Sequence, residues 1–493
     1  MITKILTWKG VSLQEVGVLL RMMIDNKKYN LPTAIVVFGG TGDLAQTKLF
    51  PALLDLYVTG ALPDKFVIIG LSRKILSDQE YRDFVKESIN KKGHQHDSEA
   101  VSEFCSHLRY LDGSFDDDEA YTKIKTALLN YDTEIKQCTN KLFYLAVPPQ
   151  YYNIIFEQLN DSQAMALCDN HDSWSRLLVE KPFGRDLETA QVLEDKLCNL
   201  FTDEQVYRID HYLEKDAIEN IISLRFANSI LTDSWNKDNI ESIDIRLLEE
   251  KDVSNRGSFY DNIGTLRDVG QNHLLQMLAL LTMSKVDVHD AASVRKARAE
   301  ALSSLLSQGP DRVVRGQYEG FTETLGVEED SETETYFKIS FVAKDSEWSG
   351  VHFSLEAGKA LDKTINEAVI TFRSADNCNC AYTEEVHQHK NVLKIQFALE
   401  QHICLSMWMK EPGFEFSLKE QKLVLLHEKT TDSYSPEAYE RVLYDCISGN
   451  QTRFVSSDEV EAAWRFVTPI IESFKNLPLL KYPKGSSGPT DAK

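Results

Sequence analysis

The segment from Arg208 to Lys215 concentrates side chains that could bind an anion. It brings a carboxylate, an imidazole, a phenol and two cations together in the string RIDHYLEK, directly ahead of a predicted helix. Imidazole, phenol and ammonium donors around one dianion form charge-assisted hydrogen bonds, and the N-terminus of a helix adds the positive end of its dipole. The segment therefore suits a phosphate monoester, although a polar helix start on its own is more often just a capped helix.

A second segment, from Arg267 to Leu278, begins polar and becomes strongly apolar. Asn272 and His273 stand at the start of a buried helix, which the spacing predicts over 271–283. A lone histidine at such a place is more often a satisfied core or capping residue than a catalyst. The occurrence of both segments in one chain is what favours a catalytic site.

The string GGTGDLA at residues 39–45 follows a predicted buried strand and opens a predicted helix. Its spacing is a variant of the dinucleotide-binding fingerprint. Gly39 permits a tight turn, Gly42 lets a pyrophosphate approach the backbone amides, and Ala45 permits close helix-to-strand packing. Glycine-rich turns are common in loops of all kinds, so the position within a βαβ unit is what favours nucleotide binding.

The second strand of this unit ends in the string GLSRK at residues 70–74. An acidic residue at this place would accept hydrogen bonds from the ribose 2'-hydroxyl of NAD, and the string has none. Arg73 is placed to meet a 2'-phosphate instead, so the sequence favours NADP as the cofactor. The alternative is that Arg73 and Lys74 are solvated loop charges.

The elements around these motifs predict two domains of different texture. Unbroken apolar runs that alternate with helix-like stretches predict an N-terminal α/β domain with a Rossmann-like, doubly wound parallel sheet. Further along, period-2 alternation predicts a larger α+β domain with a mostly antiparallel sheet and helices. The predicted segments are an N-terminal extension over 1–32, an NADP-binding domain over 33–208, an α+β substrate and dimerisation domain over 209–482 and a flexible tail over 483–493.

The composition excludes several classes of function. Against 76 Asp plus Glu the chain of 493 residues has 54 Lys plus Arg, a formal net charge of -22 that repels nucleic acid and anionic lipid. The apolar run around residues 16–23 is too short to span a bilayer. We therefore expect neither nucleic acid nor a membrane as a partner. The cysteines are mostly scattered through apolar stretches, so we expect reduced thiols and a cytoplasmic location.

The sequence resembles the glucose-6-phosphate dehydrogenase family from about residue 33 to residue 489. Five strings carry the resemblance, in the order and spacing of the family: GGTGDLA at 39–45, FYLAVPP at 143–149, VEKPFGRDL at 179–187, RIDHYL-x-KD at 208–216 and RDVGQNHLLQML at 267–278. The resemblance implies oxidation of glucose 6-phosphate at C1 with NADP to give 6-phosphogluconolactone, the first step of the oxidative pentose phosphate pathway. It also implies a homodimer, or a tetramer, paired through the large sheet of the second domain.

The resemblance further implies roles for individual residues. His273 would be the base on the C1 hydroxyl and Asp210 the carboxylate that orients it. The implied substrate-binding residues are Lys181, His211, Tyr212, Lys215, Glu249, Asp268 and Lys359, of which His211, Tyr212 and Lys215 match the binders of the 6-phosphate. The implied cofactor-binding residues are Gly39, Gly42, Asp43, Leu44, Lys48, Arg73, Tyr144 and Lys181. No metal is expected.

The sequence departs from the family pattern at several positions. Glu214 stands where the family usually has glycine, and we expect its side chain to face solvent on the first helical turn. The alternatives for Glu214 are a strained positive φ or an inward carboxylate that repels the phosphate. Asp216 replaces a glutamate. Thr364 and Ala398 stand where a basic residue and a glutamine are common, with Lys363 as a substitute for the former.

One Cys-x-Cys pair and one His-x-His pair lie outside the family pattern. They could supply four ligands to zinc: Cys378, Cys380, His387 and His389. Their spacing is atypical of zinc sites, so the favoured interpretation is an ordinary polar hairpin loop.

Two other functions remain open on the sequence. One is another sugar oxidoreductase, since an EKP string after a Rossmann strand also occurs in the glucose-fructose oxidoreductase superfamily. The phosphate-binding segment argues against it, because an unphosphorylated sugar does not need that segment. The other is a noncatalytic paralogue that binds nucleotide or sugar phosphate, which Glu214 and Ala398 keep open. The joint presence of Asp210, Lys181 and His273 argues against a pure binding protein.

Overall fold

The computed structural model describes residues 31–91, 97–167, 173–306, 310–343, 347–374, 389–397, 401–414, 417–426 and 434–490. The chain divides into two compact units. The first comprises Met1–Gly184, Glu188–Lys215 and Thr430–Val455, and the second Arg185–Leu187, Asp216–Lys429 and Ser456–Lys493. The segment 430–455 thus belongs to the first unit, although it lies within the second domain predicted from the sequence.

The α-helices are α1 Phe50–Val58, α2 Asp78–Lys91, α3 Ser98–Ser106, α4 Asp118–Ile135, α5 Tyr152–Asp161, α6 Leu187–Leu200, α7 Asp216–Ala227, α8 Ser229–Thr232, α9 Gly257–Tyr260, α10 Leu275–Thr282, α11 Ala291–Leu305, α12 Ala438–Ser448 and α13 Ser457–Ser473. A π-helical turn, Ala45–Leu49, leads into α1, and a longer π-helix, Leu266–Leu274, leads into α10. The helix predicted over 271–283 is therefore present, and it is π-helical up to Leu274 and α-helical from Leu275 to Thr282. Among the described residues, no helix is long and apolar enough to cross a membrane.

The strands are β1 Thr33–Phe38, β2 Phe66–Ser72, β3 Leu108–Asp112, β4 Asn140–Leu145, β5 Ser175–Val179, β6 Val206–Arg208, β7 Ile240–Leu248, β8 Arg312–Tyr318, β9 Tyr336–Val342, β10 His352–Gly358, β11 Ile365–Phe372, β12 Val392–Gln396, β13 His402–Lys410, β14 Leu418–Leu426 and β15 Leu479–Tyr482.

The first unit is built on a six-stranded parallel sheet in the order β3-β2-β1-β4-β5-β6. This is the strand order of the doubly wound dinucleotide-binding fold. All residues of β1 and β4 are buried, as parallel strands covered on both faces require. The predicted Rossmann-like sheet is confirmed. The strand order reverses between β1 and β4, and ligands of such sheets bind beyond the carboxyl ends of the strands at this reversal.

The helix α12 also packs into the core of the first unit. Its side chains Val442, Leu443 and Cys446 lie in the same apolar cluster as Leu53 of α1 and Ile35 of β1. Helix α12 therefore contributes to the core of the first unit, although it lies far from β1 and α1 in the chain.

The second unit is built on a nine-stranded sheet in the order β14-β13-β12-β11-β7-β10-β9-β8-β15. β7 pairs with β10 and β8 with β15 in parallel, while the remaining neighbours run antiparallel. The predicted mostly antiparallel sheet with helices is confirmed. The parallel pair at the centre matters for the site, because it brings the carboxyl ends of β7 and β10 to the same edge.

The cysteines follow the expectation of reduced thiols at four positions and depart from it at one. Cys105, Cys198, Cys404 and Cys446 are free. Cys138, by contrast, is disulfide-bonded, so the expectation is wrong for this residue.

Candidate functional site

The turn that follows β1 requires glycine at position 39. Gly39 has a φ of +79°, and a Cβ placed on it would lie 2.3 Å from the carbonyl oxygen of Ala146, which follows β4. Any other side chain would be strained by the backbone conformation and would collide with a neighbouring strand end. The chain therefore makes its tight turn at the place where the strand order reverses.

The same turn leads directly into a helical N-terminus. The amide of Gly42 donates to the carbonyl of Gly39 at 2.7 Å, and the amide of Gln46 donates to the carbonyl of Gly42 at 3.1 Å. Ala45 is fully buried, as close packing of this helix requires, whereas Asp43 and Lys48 are exposed and Leu44 is half-buried. The first amides of a helix lack intrahelical partners and suit a pyrophosphate.

A chain of hydroxyl groups fixes the loop after β2. The hydroxyl of Thr41 donates to Ser72 Oγ at 2.9 Å, Ser72 Oγ lies 2.7 Å from the hydroxyl of Tyr110, and that hydroxyl donates to the carbonyl of Lys74 at 2.5 Å. Arg73 lies between these anchored residues and is exposed. The string Ser72-Arg73-Lys74 supplies cationic and hydroxyl donors to this loop, which fits a 2'-phosphate.

Arg73 also has an acidic neighbour. The pKa of Asp116 is lowered, first by a hydrogen bond from the hydroxyl of Ser114 and to a smaller degree by the charge of Arg73. Asp116 is an exposed residue. A 2'-phosphate bound at Arg73 would compete with this carboxylate, which is a modest obstacle because exposed ion pairs contribute little.

Tyr144 is the predicted cofactor contact that the structure places in the core. Its side chain is fully buried, and its hydroxyl donates to Glu180 Oε1 at 2.5 Å. Through this hydrogen bond Tyr144 orients Glu180, the residue that precedes Lys181.

Glu180 was not found by the sequence reasoning, although it belongs to the string VEKPFGRDL. Burial raises the pKa of Glu180, while hydrogen bonds from Tyr144 and Tyr439 and the charge of Lys181 lower it. The hydroxyl of Tyr152 donates to the backbone carbonyl of Glu180 at 2.8 Å. Three tyrosines thus hold the residue before Lys181, which is half-buried and begins a cis peptide bond to Pro182.

The segment 210–215 is a compact turn between β6 and α7. Asp210 is 2% exposed, its Oδ1 accepts from the amide of Tyr212 at 3.0 Å and its carbonyl accepts from the amide of Leu213 at 3.0 Å. Lys215 Nζ lies 3.3 Å from the ring centroid of Tyr212, and the rings of His211 and Tyr212 meet edge to face at 5.3 Å. The structure therefore brings the four predicted residues of this segment together in one turn.

Burial lowers the pKa of Lys215 to about 8, against the opposing charge of Asp210. A desolvated ammonium gains more from a phosphate than a solvated one, because its interaction is less screened. The turn thus has an electrostatic character suited to a dianion.

Glu214 does not face solvent, and the expectation for its side chain is wrong. Helix α7 begins only at Asp216, so that Glu214 lies in the preceding turn, where it is 2% exposed. Its carboxylate lies 3.0 Å from Nε of Arg453. Burial is tolerated because a cation from the segment 430–455 reaches this carboxylate. The strained alternative is also wrong, since the non-glycine residues with positive φ do not include Glu214.

In the second unit, a lysine and a carboxylate meet at the end of the parallel strand pair. Gly358 of β10 is in register with Leu248 of β7, so the next residues, Lys359 and Glu249, emerge side by side. Lys359 Nζ lies 2.5 Å from Glu249 Oε2 and 4.0 Å from Asp268 Oδ2. The structure therefore brings these three predicted substrate contacts together around one ammonium group.

Asp268 and His273 both lie on the π-helix Leu266–Leu274. π-helical segments are rare, and they are frequently found at functional sites. His273 is 2% exposed, and its backbone amide donates to the side-chain oxygen of Asn272 at 2.7 Å. The amide nitrogen of the Asn272 side chain in turn donates to the carbonyl of Arg267 at 3.2 Å. The histidine is thus held on an ordered, buried element.

Glu334 supports the beginning of this π-helix and was not found by the sequence reasoning. Its Oε1 accepts from the amide of Leu266 at 3.0 Å, and burial raises its pKa to about 7. Gly264 makes room for it, since a Cβ there would lie 2.3 Å from Glu334 Oε1. A buried carboxylate therefore caps the element that carries His273.

Thr364 has a local partner. Its hydroxyl donates to Glu250 Oε2 at 3.1 Å, and Lys363 beside it is exposed. Ala398 lies outside the described residues, as do Cys378, Cys380 and His387. His389 is described, and its ring lies 4.3 Å from that of Trp408.

Two family models match the chain nearly from end to end. The model described as "Glucose-6-phosphate dehydrogenase, NAD binding domain" matches residues 36–220, and the model described as "Glucose-6-phosphate dehydrogenase, C-terminal domain" matches residues 222–493.

Similar proteins carry the same family name. The glucose-6-phosphate 1-dehydrogenase of Chlamydia pneumoniae is 36% identical over 486 residues, which cover 94% of this chain and 94% of that protein. The protein "Glucose-6-phosphate 1-dehydrogenase 5, cytoplasmic" of Arabidopsis thaliana is 35% identical over 487 residues, covering 94% and 92%. A solved glucose-6-phosphate dehydrogenase in complex with its substrate glucose 6-phosphate has a TM-score of 0.84 at 34% identity, covering 93% of this chain and 95% of that one.

Proposed function

The chain belongs to the glucose-6-phosphate dehydrogenase family, and from this premise we propose that it oxidises glucose 6-phosphate at C1 to 6-phosphogluconolactone with NADP as the cofactor. The observation that carries the proposal is the turn 210–215, which gathers an imidazole, a phenol and a partly desolvated ammonium beside a buried carboxylate. This is a donor set for a phosphate monoester. The reaction is the first step of the oxidative pentose phosphate pathway.

We propose that the backbone of Gly39 and Gly42, the flanking Asp43, Leu44 and Lys48, and Arg73 hold the cofactor, together with Lys181. The glycine turn at the reversal of the strand order and the cationic loop after β2 support this. NADP, when bound, supplies the acceptor for the hydride that leaves C1. Tyr144 contributes through Glu180, which it orients next to Lys181.

His273 is proposed as the general base that takes the proton of the C1 hydroxyl. A neutral imidazole, with an ordinary pKa of about 6.5, accepts a proton at neutral pH. Asp210 is proposed to orient the imidazole and to stabilise the imidazolium, as the carboxylate does in other base-and-orienter pairs. His273 and Asp210 are each 2% exposed, and a buried charge is screened little by water.

The remaining residues are proposed to bind the sugar phosphate. His211, Tyr212 and Lys215 donate hydrogen bonds to the 6-phosphate. Glu249 and Asp268 accept hydrogen bonds from sugar hydroxyls, while Lys359, which contacts both carboxylates, adds a donor.

The experiment that tests this function is the formation of NADPH, followed by absorbance near 340 nm. Purified protein is mixed with glucose 6-phosphate and NADP, beside parallel reactions with NAD and with unphosphorylated glucose. We expect rapid NADPH formation that depends on the phosphate. Binding of NADP without turnover would contradict the proposal and favour the noncatalytic paralogue.

One of the two arguments for a noncatalytic paralogue, the presence of Glu214, is weakened by its ion pair. Glu214 was a reason to suspect a damaged phosphate site, but its carboxylate is paired with Arg453. A carboxylate that is paired with a cation repels a dianion less than a lone carboxylate would. Ala398, the other reason, lies outside the described residues.

We also propose a homodimer, or a tetramer built from dimers, that pairs through the large sheet. Large apolar side chains at one end of this sheet are 41% to 64% exposed: Met407, Met409, Leu423, Val424, Leu425 and Leu426. Within the described part of the sheet, β14 has a neighbour on one side only. Such an edge is prone to associate. Light scattering after size exclusion should give a molar mass of at least twice that of the monomer. In the Leu425→Lys variant we expect the measured mass to fall towards that of a single chain.

A cytoplasmic location is the accompanying proposal. It is supported by two Arabidopsis thaliana relatives whose names include the word cytoplasmic. Fractionation of the source cells, followed with an antibody to the chain, tests it directly.

A further inference from the structure

We propose that Glu214 positions the turn 210–215 for phosphate recognition through a buried ion-pair cluster with Arg453 and Asp445. The inference rests on the proposed function, because it concerns how the same turn selects phosphorylated sugar. It assigns a role to a residue that stands where the family usually has glycine.

The cluster consists of one cation between two buried carboxylates. Arg453 Nε donates to Asp445 Oδ2 at 2.6 Å, and its Nη2 lies 2.5 Å from the same oxygen. Nε also lies 3.0 Å from Glu214 Oε2. Glu214 is 2% exposed and Asp445 is 1% exposed. Such ion pairs are screened little by water, so that removal of Arg453 would take this cation away from two buried carboxylates.

Both ends of the turn are tied to the segment that carries Arg453. At the beginning, the amide of Val455 donates to the carbonyl of Arg208 at 3.0 Å, and Phe454 packs edge to face on Tyr207 at 4.8 Å. At the end, Arg453 holds Glu214. Residues 209–213 therefore lie between two contacts that the short segment 453–455 makes with the ends of the turn.

The position of Glu214 in the turn explains what it would control. It directly precedes Lys215, whose ammonium lies over the ring of Tyr212. The backbone amide of Lys215 donates to the carbonyl of Tyr212 at 3.1 Å, so a rotation at residue 214 would move both groups. Glu214 thus acts on the phosphate through Lys215 and Tyr212, as a positioning residue and not as a ligand.

Arg453 has a second task in this arrangement. A buried, uncompensated Glu214 carboxylate next to a phosphate-binding turn would disfavour a dianion. We therefore expect the loss of Arg453 to weaken phosphate binding more than the loss of the Glu214 charge does, and we expect removal of both charges to restore part of the affinity.

The test compares Glu214→Gln, Arg453→Gln and the double variant with wild type, in the full-length chain. For Glu214→Gln we expect the ratio of kcat/KM for glucose 6-phosphate to that for glucose to fall about fivefold, with the KM for NADP within twofold. For Arg453→Gln we expect a fall of about twentyfold. The double variant should regain about threefold of this loss. Glu219→Gln, at an exposed position on α7, is the matched control.

The substrate ratio separates positioning from a structural role. A general loss of structure lowers activity with both sugars and leaves their ratio unchanged, and that result would overturn the inference. An unchanged ratio in a well-folded Glu214→Gln variant, or a double variant worse than Arg453→Gln, would also overturn it. Failure of the proposed function itself is seen separately, as the absence of phosphate-dependent turnover in wild type.

Discussion

The glycine turn after β1 and the carboxylate and lysine cluster after β7 and β10 show two ways of building a binding site. The turn depends on backbone positions close together in the chain, with Gly39 forced by a φ of +79° and by the carbonyl of Ala146. The cluster depends on side chains that are 110 residues apart, Glu249 and Lys359, and become neighbours through strand register.

The two regions differ in the kind of substitution that impairs them. A backbone site fails when a single Cβ is added, since no neighbouring group can replace the lost turn. A side-chain site fails when a charge or a proton acceptor is removed, and its supporting residues then decide how well the others are held. Four predictions use this contrast, in order of decreasing effect.

The largest effect is expected for His273→Asn in the side-chain region. Removal of a general base lowers kcat by about 10³-fold, within the range for such groups, while the KM for glucose 6-phosphate stays within about twofold. Steady-state kinetics at saturating NADP measures both. His289→Asn, an exposed histidine in the same unit, is the control and should behave as wild type. A His273→Asn variant with normal turnover would assign the base to another residue.

The next effect is expected for Gly39→Ala in the backbone region. The added Cβ would lie 2.3 Å from a carbonyl oxygen, so the turn must shift and the KM for NADP should rise about 10²-fold, the loss that a displacement of about 1 Å can cause. Gly60→Ala is the matched control, because Gly60 also has a positive φ but has no atom within 4 Å of its added Cβ. Equal effects in the two variants would mean that backbone strain, and not the collision, is responsible.

The same contrast explains how much the sequence predicts. The buried strands β1, β2, β4 and β5 are recognisable as continuous apolar runs, and GGTGDLA is recognisable by its spacing, because both signals are local. Strand β14 lacks such a signal, since nearly all its residues are exposed and its pattern does not alternate. The two sheets are therefore predicted correctly, while a strand such as β14 has no local signal from which to predict it.

The misses at the site have a common physical reason. Glu214 looks like a solvated first-turn carboxylate until Arg453 reaches it from a distant segment. Glu334 looks like an ordinary loop acid until it caps the π-helix at Leu266. The burial of Tyr144 and its hydrogen bond to Glu180 likewise become visible only in the folded chain. Each depends on a long-range partner, and neither periodicity nor composition contains that partner.

A smaller effect is expected for Lys215→Met in the phosphate turn. Loss of one charge-assisted hydrogen bond should raise the KM for glucose 6-phosphate about tenfold, since such bonds contribute about 1.5–3 kcal/mol. The pKa of Lys215 is lowered to about 8 by burial, so its charge is lost as the pH rises through this value. In wild type the KM should therefore rise between about pH 7 and about pH 9, and this rise should be absent from Lys215→Met. Identical pH profiles would separate Lys215 from the phosphate.

The smallest effect is expected for Glu334→Gln, which probes the support of the π-helix. Glutamine keeps an acceptor for the amide of Leu266 but cannot ionise. Because burial raises the pKa of Glu334 from 4.5 to about 7, its contribution to stability is full below about pH 4.5 and is lost as the pH rises through about 7. The shift corresponds to roughly 3 kcal/mol.

The thermal midpoint of Glu334→Gln relative to wild type should therefore be several degrees more favourable at about pH 8 than at about pH 5. The exposed Glu332→Gln serves as the control and should show no such trend. If the thermal midpoints of wild type and Glu334→Gln change in parallel with pH, the carboxylate is ionised over this pH range. Its hydrogen bond to the amide of Leu266 must then outweigh the effect of burial on its pKa. Turnover should change less than twofold in either case, because the π-helix keeps its cap. A change in turnover below twofold would show that Glu334 supports the helix that carries His273 and takes no part in the proton transfer.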